Sequence, residues 1–298
     1  MALAARFKSP PIVTAPGVYD ALTAMIATDA GAEALYLSGA AIAYTRLGRP
    51  DIGLVGMNEV ADVIALVRDR VATPLIVDAD TGYGNALNVQ RTVRLFEQAG
   101  ASAIQLEDQS FPKRCGHLAE KRLIPAAEMA GKIKAAVDAR RKDDTMIIAR
   151  TDAIAVEGLE AAIERARLYV EAGAGLLFVE APGSSEELSR VPKALSGVAP
   201  VMANMVEGGL TPLRTATELE AMGFALVIFP GAVVRMIARA AADLYCAVVR
   251  DGSSKAVSAR MYDFDGLNRI IGTADMLERG KAYELWSGPG AREKIAKG

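Results

Sequence analysis

Short runs of apolar and β-branched residues punctuate the chain, each bounded by turn-forming residues and followed by a longer amphipathic segment. Eight can be marked: Pro11 to Ala15, Ala34 to Leu37, Pro74 to Val77, Ala103 to Leu106, Thr145 to Ala149, Leu176 to Val179, Pro200 to Ala203 and Ala225 to Phe229. They are apolar throughout rather than alternating, the pattern of parallel strands covered on both faces by crossover helices. Eight such units predict an α/β fold, a closed (β/α)₈ TIM-type barrel. Glycine recurs ahead of the strands, in Ala30-Gly31, Ala99-Gly100, Ala172-Gly173 and Met222-Gly223, where a helix is expected to end in the left-handed conformation. The competing arrangement is a doubly wound open sheet. Against it, only Pro16-Gly17 follows the first run, with no glycine-rich dinucleotide fingerprint.

The pattern weakens past Gly252-Ser253-Ser254, where the chain becomes more polar. Residues 1–250 are therefore expected to form the barrel and residues 251–298 a helical extension, with helices near Ala259 to Asn268 and Gly280 to Trp286. The extension is expected to pack on the barrel or on a neighbouring subunit, with Trp286 as a candidate anchor.

A chain of 298 residues, 51% hydrophobic, is within reach of one barrel, and no apolar run approaches the roughly 20 residues of a membrane span. Met1 to Pro11 contains no secretory h-region, so cytoplasmic residence is expected. The net charge of −2, with both signs interspersed, provides no basic surface for nucleic acid. The single histidine, His117, excludes the usual zinc ligand sets, so a metal here must take oxygen ligands.

Barrel enzymes draw their catalytic groups from the carboxyl ends of the strands. Here the third run ends in Asp78-Ala79-Asp80, the fourth in Glu107-Asp108-Gln109, the fifth in Arg150-Thr151-Asp152, the sixth in Glu180 and the seventh in Asn204. Alternation puts Asp78 and Asp80 on one side of their strand, where with Glu107 they can converge on one mouth of the barrel. Such acids repel unless a cation lies between them, and hard oxygen ligands favour Mg²⁺, or Mn²⁺. For any one of them the alternative is capping of the following helix. In Phe111-Pro112-Lys113-Arg114-Cys115-Gly116-His117 two cations flank a thiol, a setting that lowers a thiol pKa and suits a proton donor on a loop free to close. Cys246, within the apolar stretch Ala240 to Val249, reads as packing. Ser38-Gly39 offers a hydroxyl and N–H groups to a carboxylate, Tyr36 is either core or site, and Arg150 is placed to bind substrate charge.

Taken together, Asp78-Ala79-Asp80-Thr81-Gly82-Tyr83-Gly84, Leu106-Glu107-Asp108-Gln109, Lys113-Arg114-Cys115-Gly116-His117 and Arg150-Thr151-Asp152 resemble the isocitrate lyase and phosphoenolpyruvate mutase superfamily, in order, from about Pro16 through Ala240. The resemblance implies a (β/α)₈ barrel, Mg²⁺ dependence and small 2-oxo or 2-hydroxy acid substrates. It makes Asp78 the direct metal ligand, with Asp51, Asp80 and Glu107 acting through water, and Cys115 the catalytic acid. Ser38, Gly39, Gly116, His117, Arg150, Glu180 and Asn204 would position the substrate, and Tyr36 would match a tyrosine of methylisocitrate lyases. The Lys-Arg-Cys-Gly-His run is unlike the mutase pattern and is generally missing from the oxaloacetate decarboxylase branch. Asn204 to Leu213 and Gln105 look like the dimethylmalate lyase and petal death protein branch.

The expected reaction is then a retro-Claisen cleavage of a small dicarboxylate, with Tyr36 a candidate base and Cys115 protonating the departing enolised carboxylate. Oxaloacetate hydrolysis or decarboxylation, and phosphonopyruvate-type or carboxyphosphonoenolpyruvate-type mutase chemistry, are the alternatives. A catalytically silent barrel acting as a scaffold is the reading from outside enzymology. The resemblance also implies a homotetramer, a dimer of dimers.

Overall fold

The computed structural model describes residues 3–116, 120–284 and 286. Eight parallel strands close into a barrel in sequence order: β1 (Val13–Val18), β2 (Leu35–Leu37), β3 (Leu75–Asp78), β4 (Ala103–Glu107), β5 (Met146–Thr151), β6 (Leu176–Val179), β7 (Val201–Asn204) and β8 (Leu226–Phe229). The expected (β/α)₈ barrel is the observed fold, with further helices after it. Gly31, Gly100, Gly173 and Gly223 all take positive φ, between 90° and 109°, ending helices before the next strand as the sequence pattern predicts.

The first strand differs from expectation. It runs on through Pro16-Gly17 to Val18, past the expected end at Ala15, and Gly17 lets β8 approach closely. A side chain at Gly17 would collide with the Pro230 carbonyl and lie 2.7 Å from that of Phe229.

Strand residues facing inward, among them Val13, Tyr36, Ile76, Ile148, Phe178 and Ile228, form one buried cluster that Leu3 and Phe7 join. Residues facing outward, such as Leu35, Val77, Ile104 and Ile147, pack against the helices in a second, larger cluster. This two-layer burial explains why the runs are apolar without alternation.

Parallel register decides which polar residues meet at the carboxyl ends. It pairs Asp78 with Gln105 and Glu107 with Arg150. The entry to β5 is fastened by Glu97, whose carboxylate accepts hydrogen bonds from the N–H groups of Arg141 (2.8 Å) and Lys142 (2.9 Å) and from the Thr145 hydroxyl (2.8 Å).

The chain divides into two compact units, Met1–Ile237 and Ala238–Gly298. The second contains most of the helix Ala232–Asp251, a 3₁₀ turn at Lys255–Arg260, and the helices Phe264–Ile270 and Thr273–Glu284. The expected helix from Ala259 to Asn268 is interrupted because Asp263 caps a new one, its side chain accepting from Gly266 N–H at 2.6 Å. Cys246, expected to be packing, is exposed, as are Tyr245 and Val249 beside it. Trp286 is 49% exposed. Among the described residues no helix is long and apolar enough to cross a membrane.

Burial tends to raise the Glu97 pKa, but its hydrogen bonds outweigh that and hold it below the ordinary 4.5. A depressed folded-state pKa contributes stability above the unfolded value and loses it as the pH falls through the folded one. Glu97→Gln is expected to cost about 1–3 kcal/mol near neutral pH in urea unfolding, with the difference from the parent shrinking under acid conditions.

Candidate active site

One cavity at the carboxyl ends of the strands is lined by Tyr36, Ser38, Asp51, Asp78, Cys115, Gly116, Arg150, Glu180 and Asn204. Of the other residues singled out in the sequence, Gly39, Asp80 and Glu107 lie beside it, and His117 lies outside the described residues.

The acids are held by strand register and by the loops that come after the strands. Asp78 ends β3, and its Oδ1 accepts from Gln105 Nε2 (3.3 Å) and from Asp80 N–H (3.2 Å). Asp80 comes next in the left-handed region, φ 47°, a strained conformation that turns its carboxylate back toward Asp78. Glu107 ends β4 and donates its N–H to the Asp80 carbonyl at 2.9 Å. Asp78, Asp80 and Glu107 do not cap helices. Ser38 does: its hydroxyl accepts from Ala41 N–H at 3.2 Å, at the start of the short helix Gly39–Ile42.

Lys113 carries the positive charge that meets Asp51 and Asp80. Its ammonium lies 2.5 Å from Asp51 Oδ1 and 2.8 Å from Asp80 Oδ1, the second contact an ion pair outside hydrogen-bond geometry. Burial pushes Asp80 up to about 6 against the pull of Lys113, and burial likewise raises Glu107 well above the ordinary carboxylate range. The sequence pattern assigns Lys113 and Arg114 to the thiol. In the structure both are engaged by carboxylates, Lys113 as described and Arg114 with Glu120 at 2.8 Å. The acid cluster is the stronger attractor for a buried ammonium.

The donor set fits a divalent cation. Among the described residues, the buried side-chain oxygens without a hydrogen-bond donor are Asp80 Oδ1, Glu107 Oε1 and Asn204 Oδ1. A Cβ on Gly39 would stand 3.2 Å from Asp78 Oδ2 and 3.5 Å from Asp80 Oδ1, so glycine keeps open the space both oxygens face. No three acids among the described residues lie close enough to ligate one ion directly. This arrangement suits an ion that keeps several of its waters.

Arg150, the penultimate residue of β5, lies among acids, with Nε 2.9 Å from Asp152 Oδ2 and 3.4 Å from Glu107 Oε2, and Nη1 3.5 Å from Glu180 Oε2. Asn204 Nδ2 donates to both Glu180 oxygens, at 3.3 and 3.2 Å. Burial alone would raise Asp152, but Arg150 and Lys121 hold it down to about 2. Tyr36 is fully enclosed. Its hydroxyl donates to Gln105 Oε1 at 3.0 Å, and burial with the nearby Asp78 charge pushes its pKa well above 10.

Two contributors escape the sequence pattern. Arg235, one turn into the helix after β8, lines the cavity and donates to the Glu207 carbonyl. Extending the strand-end rule to the residues after the eighth run would have found it. Lys113 stands out in the sequence beside the thiol, but its partners Asp51 and Asp80 do not follow from that neighbourhood.

Residues 3–249 match the family described as phosphoenolpyruvate phosphomutase. The chain belongs to that family. This member is 43% identical over 267 residues to 2,3-dimethylmalate lyase of Eubacterium barkeri, covering 90% of this chain and 92% of that one. It is 46% identical over 268 residues to 2-methylisocitrate lyase of Aeropyrum pernix, covering 90% and 85%. Among solved structures, phosphonopyruvate hydrolase in complex with oxalate and Mg²⁺ superposes on this phosphomutase-family chain with a TM-score of 0.83 at 30% identity, covering 93% and 96%.

Asp152 sits between two buried cations, and removing its charge leaves both short of a partner. Asp152→Asn is expected to destabilise the protein by about 3–5 kcal/mol, read by chemical denaturation.

Proposed function

We propose that the chain is a divalent-metal-dependent carbon–carbon lyase. It would cleave a small 2-hydroxy acid, a dicarboxylate of the 2,3-dimethylmalate kind or its tricarboxylate counterpart 2-methylisocitrate, into pyruvate and a second carboxylic acid. The observation that carries this reading is that Cys115 and Gly116 line the same cavity as Arg150, Glu180 and the Asp78 carboxylate. A proton donor, an anion binder and a cluster of hard oxygens thereby face one small volume. Relatives named for this chemistry, 43% and 46% identical over most of their length, support it.

Asp78 would hold Mg²⁺, or Mn²⁺ in its place, with Asp51, Asp80 and Glu107 acting through water. When bound, the ion polarises substrate oxygens and offsets developing negative charge. Arg150 binds the substrate carboxylate, and the Asp152 carboxylate fixes its guanidinium plane. Ser38 and the Gly39 backbone offer donors from the opposite wall. The unpaired Asn204 Oδ1 takes a substrate donor, while its amide nitrogen keeps Glu180 in place. His117 is proposed as a further substrate contact on its place in the Lys-Arg-Cys-Gly-His run.

In the retro-Claisen step the 2-hydroxyl loses its proton to a water in the cavity and the C2–C3 bond breaks. The hydroxyl carbon becomes the carbonyl of the oxo acid, and the electron pair moves onto the other fragment as an enolised carboxylate. The Cys115 thiol protonates that carbon, and solvent later returns a proton to sulfur. Tyr36, a candidate base in the sequence reading, is a poor acceptor while its hydroxyl donates to Gln105. The geometry favours a different part for it: it orients the Gln105 amide, which donates to Asp78.

We also propose a homotetramer, a dimer of dimers. Exposed Met236, Tyr245, Val249, Phe264, Leu277 and Tyr283 support association, since apolar exposure on this scale marks interaction surfaces.

With 2,3-dimethylmalate, 2-methylisocitrate, oxaloacetate and phosphonopyruvate compared side by side, pyruvate release from a 2-hydroxy acid is expected, abolished by chelator and restored by Mg²⁺. Oxalate plus acetate from oxaloacetate as the main activity would overturn the lyase reading. Cys115→Ser should lower kcat by about 10²–10⁴-fold with Mg²⁺ binding by calorimetry unchanged. Full activity in that variant would remove the thiol from the mechanism.

A further inference from the structure

The segment bearing the thiol is fastened to the barrel by the Lys113 ammonium, which lies against Asp51 and Asp80, and by hydrogen bonds nearer the thiol. Its neck is a short antiparallel contact, with Gln109 bridged to Leu123 and Ser110 N–H donating to the Arg122 carbonyl at 2.8 Å. The Gln109 side chain brackets Arg114, donating to its carbonyl at 2.8 Å and accepting from its N–H at 2.9 Å. Cys115 N–H donates to the Asp51 carbonyl at 3.2 Å. The described stretch ends one residue on, at Gly116.

Beyond it stands Lys121, whose side chain is 2% exposed. Its ammonium donates to the Gly116 carbonyl at 2.5 Å and to Asp152 Oδ1 at 3.0 Å. Asp152 is itself fixed to the barrel, since its N–H donates to Asp108 Oδ1 at 2.9 Å. Asp108 in turn accepts from the Thr151 and Tyr169 hydroxyls at 2.7 and 2.8 Å. One side chain therefore joins the residue after the thiol to the carboxylate that orients Arg150. The fit at Gly116 is tight: a Cβ there would collide with Arg150 Nη2 and lie 2.7 Å from Glu180 Cγ.

Burying a second cation beside Arg150 is costly, and an uncharged donor would suffice to satisfy one carbonyl. An ammonium has three donors on a flexible stem and reaches carbonyl and carboxylate together. We infer that Lys121 is a positioning residue for Cys115: by tying the Gly116 carbonyl to Asp152, it seats the thiol against the Arg150 and Glu180 pair. The kinetic part of this inference rests on the lyase reading, and the tether itself does not.

The test uses the full-length holoenzyme with Cys246→Ser, so that Cys115 is the one thiol in the chain. Alkylation by iodoacetamide and pyruvate release from 2,3-dimethylmalate with Mg²⁺ are measured in parallel. Lys121→Met is expected to speed alkylation about tenfold, the scale of losing a hydrogen bond to a charged group. It should lower kcat about 100-fold, with KM changing far less, because misplacement of a reacting group is felt in the chemical step. Lys121→Arg should recover most of both. Lys121→Gln, which keeps a donor but no charge, reports the same two quantities if the Met variant does not fold. An alkylation rate unchanged in a folded Met or Gln variant overturns the inference, as does a loss of kcat that Arg fails to rescue. Should the parent release no pyruvate, the lyase reading falls, and the alkylation rates still decide the tether.

Discussion

Taking an ionised carboxylate out of water costs several kcal/mol unless opposite charge and hydrogen-bond donors replace the lost solvent. The mouth of this barrel buries Asp51, Asp78, Asp80, Glu107, Asp108, Asp152 and Glu180. The cations that offset them are themselves buried: Lys113, Lys121, Arg150 and Arg165. Each cation contacts at least one of these acids, and Arg150 contacts three. Side-chain placement at this end of the fold is governed by that balance, and Glu107 Oε1 and Asp80 Oδ1, neither of which receives a hydrogen bond, show where it stays incomplete.

Support for the balance comes in layers. The inner apolar cluster and the helix-facing one make the barrel wall stiff, because interiors at crystal-like density do not deform to suit one side chain. On that wall, Asp108 ties Thr151, Tyr169 and Arg165 together and holds the Asp152 backbone, Asp152 holds Arg150, and Gln105 links Tyr36 to Asp78. The residues proposed to touch substrate are thus held by others that do not. The thiol segment is held by a different set of contacts: the Lys113 ammonium against Asp51 and Asp80, the Gln109 side chain on Arg114, the Asp51 carbonyl on Cys115 N–H, and Lys121 on the Gly116 carbonyl.

Much of this could be read from sequence. Eight largely apolar runs imply parallel strands, and strand β6 matches its expected span residue for residue, Leu176–Val179. The strand-end rule picked out Asp78, Glu107, Arg150, Glu180 and Asn204, because a residue's place at the carboxyl end of a strand is set by local pattern once the fold class is known. The errors have a common origin. Immediate surroundings point Lys113 at the neighbouring thiol, Cys246 at a packed interior, and the end of the first strand at Ala15. In the molecule a distant acid pair, an uncovered helix face and the approach of β8 set these three positions.

The order and type of the elements, the apolar faces and the end of the barrel where polar groups collect are fixed by residue periodicity, since burial of one face is a local requirement repeated eight times. Which charge pairs with which, that Tyr36 donates to Gln105, that Arg235 joins the cavity and that Lys121 reaches back to Gly116 depend on strand register and barrel closure. Those contacts join residues up to 69 positions apart, and their energies exist only after the intervening chain has been brought together.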